Sequence, residues 1–224
     1  MLQVWNSHLN RPRPALLQPR KSPRQARSAA TIEAIRQATI QVLLAEGVGR
    51  LTTTRVAERA GVSVGTMYQY FPHKQALLFG IVERQMALIE AAMCAAAERL
   101  RGSDLKGIAE GLSAAWLDAK LADMVSSRAI YGIAAEFDLS EHMNRAAKML
   151  SGLFEDLLAH APEARFEDRP SAAFMLTAIL GGSVRVVMEA DPSEETLDRL
   201  RCELPRACHA YLASANQGGV EIEA

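Results

Sequence analysis

Aromatic side chains are scarce in this chain, 5% of its 224 residues. Nowhere is there the sustained alternation of polar and apolar residues that marks a half-buried strand. The apolar half of the composition is carried by Ala, Leu, Ile and Met, which favours helices. Without a strand there is no setting for a glycine-rich phosphate loop, and no nucleophile motif is present. The chain therefore does not read as an enzyme, and no cofactor is expected. Cysteine is limited to Cys94, Cys202 and Cys208. That odd number without framework spacing excludes a disulfide scaffold and favours a reducing, cytosolic setting. Cys202, Cys208 and His209 form the one metal-like group, but positions six apart on a helix point about 240° from each other, so no metal site is expected. Residues 1–21 lack the apolar centre of a signal peptide. The most apolar stretch, residues 172–184, falls short of the about 20 residues that cross a bilayer, so no membrane partner is expected.

Acids are missing from the first 27 residues, which hold six bases and four prolines. These residues show no helical period and are expected to form a flexible basic arm. Over residues 1–80 eleven bases meet three acids, whereas the remaining 144 residues hold fourteen bases and twenty-three acids. A chain of net charge −1 thus has a basic end and an acidic body, the distribution expected when one end faces a polyanion.

What is present is helical punctuation. From Ala30 a helical face runs through Ile32, Ile35, Thr39, Val42 and Leu43, and Gly47 is placed to end it. Thr52, Thr53 and Thr54 offer N-caps for a short helix through Ala60, with Val56, Ala57 and Ala60 on its buried side. Gly61 supplies a tight turn and Ser63 caps the next helix. There the periodicity puts Met67 and Phe71 inward with Tyr68 beside them, and turns Thr66, Gln69 and Tyr70 outward. Phe71-Pro72 closes it, and a long helix follows from His73 or Lys74 to about Leu100. Helical segments are expected at about 104–121, 124–137, 140–160, 170–190 and 193–214, with Pro205 kinking the last.

A short helix, a glycine turn and a second helix with a polar, aromatic outer face form the helix-turn-helix plan. The second helix suits the major groove, where Thr and Gln reach base edges and Val64 meets a thymine methyl. Tyrosine hydroxyls and Lys74 suit phosphates. Residues 53–79, above all Ala57-x-x-x-Gly61-Val62-Ser63-x-Gly65-Thr66-x-Tyr68-x-Tyr70-Phe71-x-x-Lys74-x-x-Leu77, resemble the TetR family of bacterial transcriptional repressors. The resemblance implies an all-α protein that binds a palindromic double-stranded DNA operator as a homodimer and lets go when a small molecule occupies its C-terminal domain. Carried over position by position, it places DNA contacts on Thr53, Arg55, Ser63, Val64, Gly65, Thr66, Tyr68, Tyr70 and Lys74. A cytoplasmic, nucleoid-associated location follows from the same resemblance.

The expected organisation is an arm at 1–27, a helix-turn-helix domain at 28–76, a helical effector and dimerisation domain at 77–215, and a tail at 216–224. One helix-turn-helix makes too few contacts for specific affinity, so a dimer surface is expected. Residues 172–188 are apolar nearly all round, which demands partners on every side. Phe174, Ala178, Gly181, Gly182 and Arg185 are its candidate interface. Met93, Trp116, Met124, Tyr131 and Phe137 are candidates to line a mainly apolar effector pocket, with Arg128 or His142 meeting a polar group. The rival reading is a helical adaptor that binds protein, which would show none of the steep salt dependence of DNA binding.

Overall fold

The computed structural model describes residues 26–190 and 193–216. The basic arm and the tail read from the sequence lie outside these residues, except for their innermost positions. The described residues form nine α-helices and one 3-10 turn (Val48–Arg50). The helices are α1 (Ala26–Glu46), α2 (Thr53–Ala60), α3 (Val64–Tyr70), α4 (Lys74–Leu100), α5 (Leu105–Leu121), α6 (Met124–Glu136), α7 (Ser140–Ala159), α8 (Arg169–Glu189) and α9 (Glu194–Asn216). No strand occurs among them. The chain divides into two compact units between Arg84 and Gln85, inside α4 rather than at its start.

In the first unit the apolar faces anticipated from periodicity meet in one core. α1 contributes Ile35, Ile40, Val42 and Leu43, α2 Val56 and Ala57, α3 Met67, and the first turns of α4 Leu77, Leu78, Ile81 and Val82, all buried. Thr39 is also fully buried, and its hydroxyl is satisfied by donating to the Ile35 carbonyl at 2.7 Å. Gly47 ends α1 with a positive φ of 77°, its N–H donating to the Leu43 carbonyl at 2.9 Å.

The second unit packs α5 on α9 and sets α8 against both α7 and α9. Its core includes Met93, Ile108, Leu112, Phe154, Leu157, Leu176, Leu180, Leu204 and Leu212. Acidic caps start three of its helices. Asp104 accepts from the Gly107 N–H, Asp123 from Ser126 and Asp168 from Ser171, each carboxylate also complementing the positive end of the helix dipole. α9 runs on through Pro205 as one helix. Cys208 faces the core and Cys202 the outside, so the two sulfurs do point apart.

One buried residue breaks the apolar rule. Lys120, near the end of α5, is 7% exposed. Its Nζ lies 5.2 Å from the centre of the Trp116 ring and 6.0 Å from that of Tyr131. Burial pushes its pKa down from 10.5 to about 8, because the charged form loses water. The unfolded chain therefore binds more protons between pH 8 and 10.5, and the ammonium costs the folded state about 3 kcal/mol at neutral pH. Lys120→Met keeps the stem and removes the charge. Chemical denaturation is expected to show it more stable than the parent by up to that order near pH 7, the Trp116 and Tyr131 ring contacts offsetting part of the cost, with the gap closing as pH rises through 8 towards 10.5.

Candidate nucleic-acid interface

The turn between α2 and α3 is built from three local devices. Thr52 is the N-cap of α2, its hydroxyl accepting the Arg55 N–H at 3.2 Å. Of the three threonines that could cap, Thr52 is the one used, which leaves the Thr53 hydroxyl to share a 3.2 Å hydrogen bond with the Tyr68 hydroxyl. Gly61 then takes the left-handed conformation, φ 66°, with its N–H reaching back to the Ala57 and Glu58 carbonyls. Ser63 caps α3 by accepting the Thr66 N–H at 3.0 Å, and the Ser63 and Thr66 hydroxyls share a further bond at 2.9 Å. At the far end Phe71 is extended (φ −127°, ψ 103°) ahead of Pro72, which stops the helix. His73, read from sequence as a helix-start residue, accepts the Ala76 N–H on Nδ1 at 3.2 Å.

This frame presents Ser63, Val64, Gly65, Tyr68 and Gln69 to the outside, with Tyr68 41% exposed. Thr53, Thr66 and Lys74 are half-buried. Met67 and Phe71 are buried as the periodicity requires, but Tyr70 is not outward: it is 6% exposed and belongs to the core. The physical reason is angular. Tyr70 follows Met67 by three residues and lands about 60° from it around the helix, closer than Tyr68 at about 100°. The outward tyrosine of α3 is therefore Tyr68.

Gly65 has no role that the fold explains. Its φ is ordinary, and an added Cβ would meet only the Ser63 hydroxyl oxygen at 3.8 Å. Glycine in a helix costs about 0.5–1 kcal/mol relative to alanine, so the chain tolerates a loss here that its own packing does not require.

Much of the basic charge described in this unit is already paired. Arg55 is bound to Glu46, Arg36 to Glu33 at 2.6 Å, and the Arg59 Nε donates to the Gln41 side chain at 2.8 Å. The Arg36 hydrogen bond holds the Glu33 carboxyl below its usual pKa. Such exposed pairs are worth only about 0–1 kcal/mol each, so a phosphate competes easily for Arg55. Most of the excess base in residues 1–80 belongs to Arg11, Arg13, Arg20, Lys21 and Arg24, which lie outside the described residues.

The expected effector residues are spread through the second unit. Met93 and Trp116 are core, Met124 and Tyr131 pack half-buried against that core, and Arg128, Phe137 and His142 are half-buried. The Trp116 and Tyr131 rings each lie near the Lys120 ammonium, which is 5.2 and 6.0 Å from their centres. Sequence reasoning missed that lysine, although the signal was there. The buried series Leu105, Ile108, Ala109, Leu112, Ser113, Trp116, Leu117 repeats every three or four residues, and Lys120 occupies its next slot. Two surface clefts, of about 480 Å³ along α5 and α9 and about 410 Å³ along α1 and α2, contain none of the expected effector residues.

On α8 one face is buried through Ala172, Ala173, Leu176, Leu180, Val184 and Met188. The other carries Phe174, 62% exposed, with Ala178, Gly182 and Arg185 also exposed and Gly181 half-buried. These expected interface positions share one face at helical spacing. An added Cβ at Gly181 or Gly182 would meet nothing within 4 Å. By length and composition alone, residues Arg169–Met188 reach what a membrane span needs, with a mean hydropathy of 1.6. The uninterrupted apolar run, residues 172–184, is shorter, because Arg185 breaks it. The buried face nevertheless packs into the helical core of the second unit.

Comparison with known proteins agrees with both halves of this picture. Residues 35–81 match the family model of bacterial regulatory proteins of the tetR family, and residues 104–212 match the tetracyclin repressor-like C-terminal domain. A nucleoid occlusion factor, SlmA of Haemophilus ducreyi, is 26% identical over 149 residues, covering 63% of this chain and 73% of its own length. Among solved structures, the SmeT–triclosan complex is similar with a TM-score of 0.64 at 23% identity, covering 85% of this chain and 93% of that one. A TetR-family regulator from Mesorhizobium loti gives a TM-score of 0.65 at 19% identity, covering 85% and 98%. With a family match on either side of the α4 division and the helix-turn-helix in place, the chain belongs to the TetR family of DNA-binding bacterial transcriptional regulators.

Proposed function

We propose that this regulator is a repressor that binds a palindromic operator as a homodimer, through a domain at 28–76, and leaves it when a small, mainly apolar effector enters the domain at 77–215. In this reading α3 enters the major groove. Thr66 and Val64 meet base edges, while Thr53, Arg55, Ser63, Tyr68 and Lys74 hold phosphates. Tyr70 supports the helix from beneath instead of touching DNA. The observation that carries the reading is Gly65. A residue on the exposed start of α3 that costs stability and fills no internal need is what close approach of a backbone to a partner requires.

The exposed apolar face of α8 supports the dimer. Its two glycines leave open room on the outside of a helix, which suits close packing with a symmetry mate in a helical interface. Regulation of transcription on such sites places the protein with the chromosome in the cytoplasm.

An operator selected from random DNA provides the test. Lys74→Ala is expected to weaken binding to operator and unrelated DNA alike and to reduce the slope of log K against log salt by about one. Gly65→Ala is expected to fold with equal or up to about 1 kcal/mol greater stability while losing operator affinity in a gel-shift titration. Undiminished affinity in that variant counts against close approach at α3. For the dimer, Gly182→Glu should sediment as a monomer at concentrations where the parent is a dimer.

A further inference from the structure

We propose that the effector is an amphipathic carboxylic acid whose carboxylate is bound by Lys120 and the indole N–H of Trp116, with its apolar body lying among the neighbouring side chains of α5 and α6. The proposal deepens the effector reading above and rests on it.

The argument begins with an imbalance. Buried ammonium groups are normally paired with an anion, because desolvation of an unpaired charge is expensive. Among the described residues no carboxylate pairs with Lys120, and burial lowers its pKa. The nearest acid on the following connection, Asp123, is committed to the start of α6, where it accepts the Ser126 N–H at 2.9 Å and the Ser126 hydroxyl at 2.5 Å. The aromatic faces of Trp116 and Tyr131 offset part of the cost, but a desolvated cation–π contact is worth only about 2 kcal/mol.

A second, independent imbalance sits beside the first. The Trp116 Nε1 atom is buried and has no hydrogen-bond partner. An indole nitrogen only donates, and an ammonium only donates. The Lys120 ammonium and this indole N–H, both donors, thus lie close together, Nζ 5.2 Å from the centre of the Trp116 ring. The missing chemistry is an acceptor that carries charge. A carboxylate supplies two oxygens, one for each donor, and one negative charge for one positive charge. A phosphate dianion would leave a surplus negative charge in the same apolar surroundings. Met124 and Tyr131, half-buried against this part of the core, supply the apolar contacts that the remainder of such a molecule needs.

The experiment uses the full chain and two matched pairs of probes, octanoate with octanamide and 2-naphthoate with 2-naphthamide, near neutral pH. Calorimetric titration is expected to show each acid binding more tightly than its amide by about tenfold or more, the worth of roughly one charge-assisted bond. Lys120→Met should abolish that preference while still binding the amides, and Lys120→Arg should keep part of it. Circular dichroism establishes that each variant is folded. Equal binding of acid and amide by the parent, a preference that survives in Lys120→Met, or no binding of either acid overturns the proposal. Operator binding measured alongside separates the two readings. Release of DNA by amide and acid at equal concentrations would sustain the effector mechanism and reject the Lys120 assignment. Acid binding that depends on Lys120 but leaves operator affinity unchanged would do the reverse.

Discussion

The outward surface of α3 depends on a single left-handed residue. Gly61 turns the backbone at φ 66° and returns its N–H to α2, so α3 leaves in a fixed direction with Ser63 already in place as its cap. A side chain with a Cβ would pay about 1–2 kcal/mol for that conformation. With the start fixed by Ser63 and the end by Phe71 and Pro72, seven residues remain whose orientation is decided by which of them the core accepts. Met67 and Tyr70 go in, Thr66 is half-buried, and Val64, Gly65, Tyr68 and Gln69 are left to face outward.

The second unit shows the same economy in its buried polar groups, with one exception. The Gln85 side chain, 2% exposed, donates to the Ser127 hydroxyl at 3.1 Å, and that hydroxyl donates to the Lys120 carbonyl at 2.8 Å. This small network joins α4, the end of α5 and α6 with every named donor used. The backbone of Lys120 is thus held firmly, while its ammonium a few ångströms away has only ring faces to rest on. A well-satisfied main chain carrying a poorly satisfied side chain is the pattern of a residue positioned for something other than stability.

Much of this architecture was legible in the sequence because local chemistry decides it. Gly47, Gly61 and Ser63 announce helix ends by conformational need and hydrogen-bonding capacity, and the structure uses each of them so. The apolar character of α8 was equally legible, although not which of its faces the core would take. Where the reading failed, the cause was tertiary. Tyr70 and Tyr68 differ by 200° around a short helix, and with only seven residues the apolar face is too narrow to show which tyrosine the core will take. Spacing left open which of Thr52, Thr53 and Thr54 caps α2, and Thr52 takes the place because the start of α2 is fixed by where the preceding 3-10 turn delivers the chain. Lys120 escaped because a charged residue in an apolar slot is ordinarily assumed to turn away from it.

The bond between the Thr53 and Tyr68 hydroxyls, 3.2 Å across the turn, has a further consequence. It ties a phenol on the outer face of one helix to the first turn of another, so the tyrosine's rotamer is held by the fold itself. Rotational freedom surrendered during folding does not have to be surrendered again at docking.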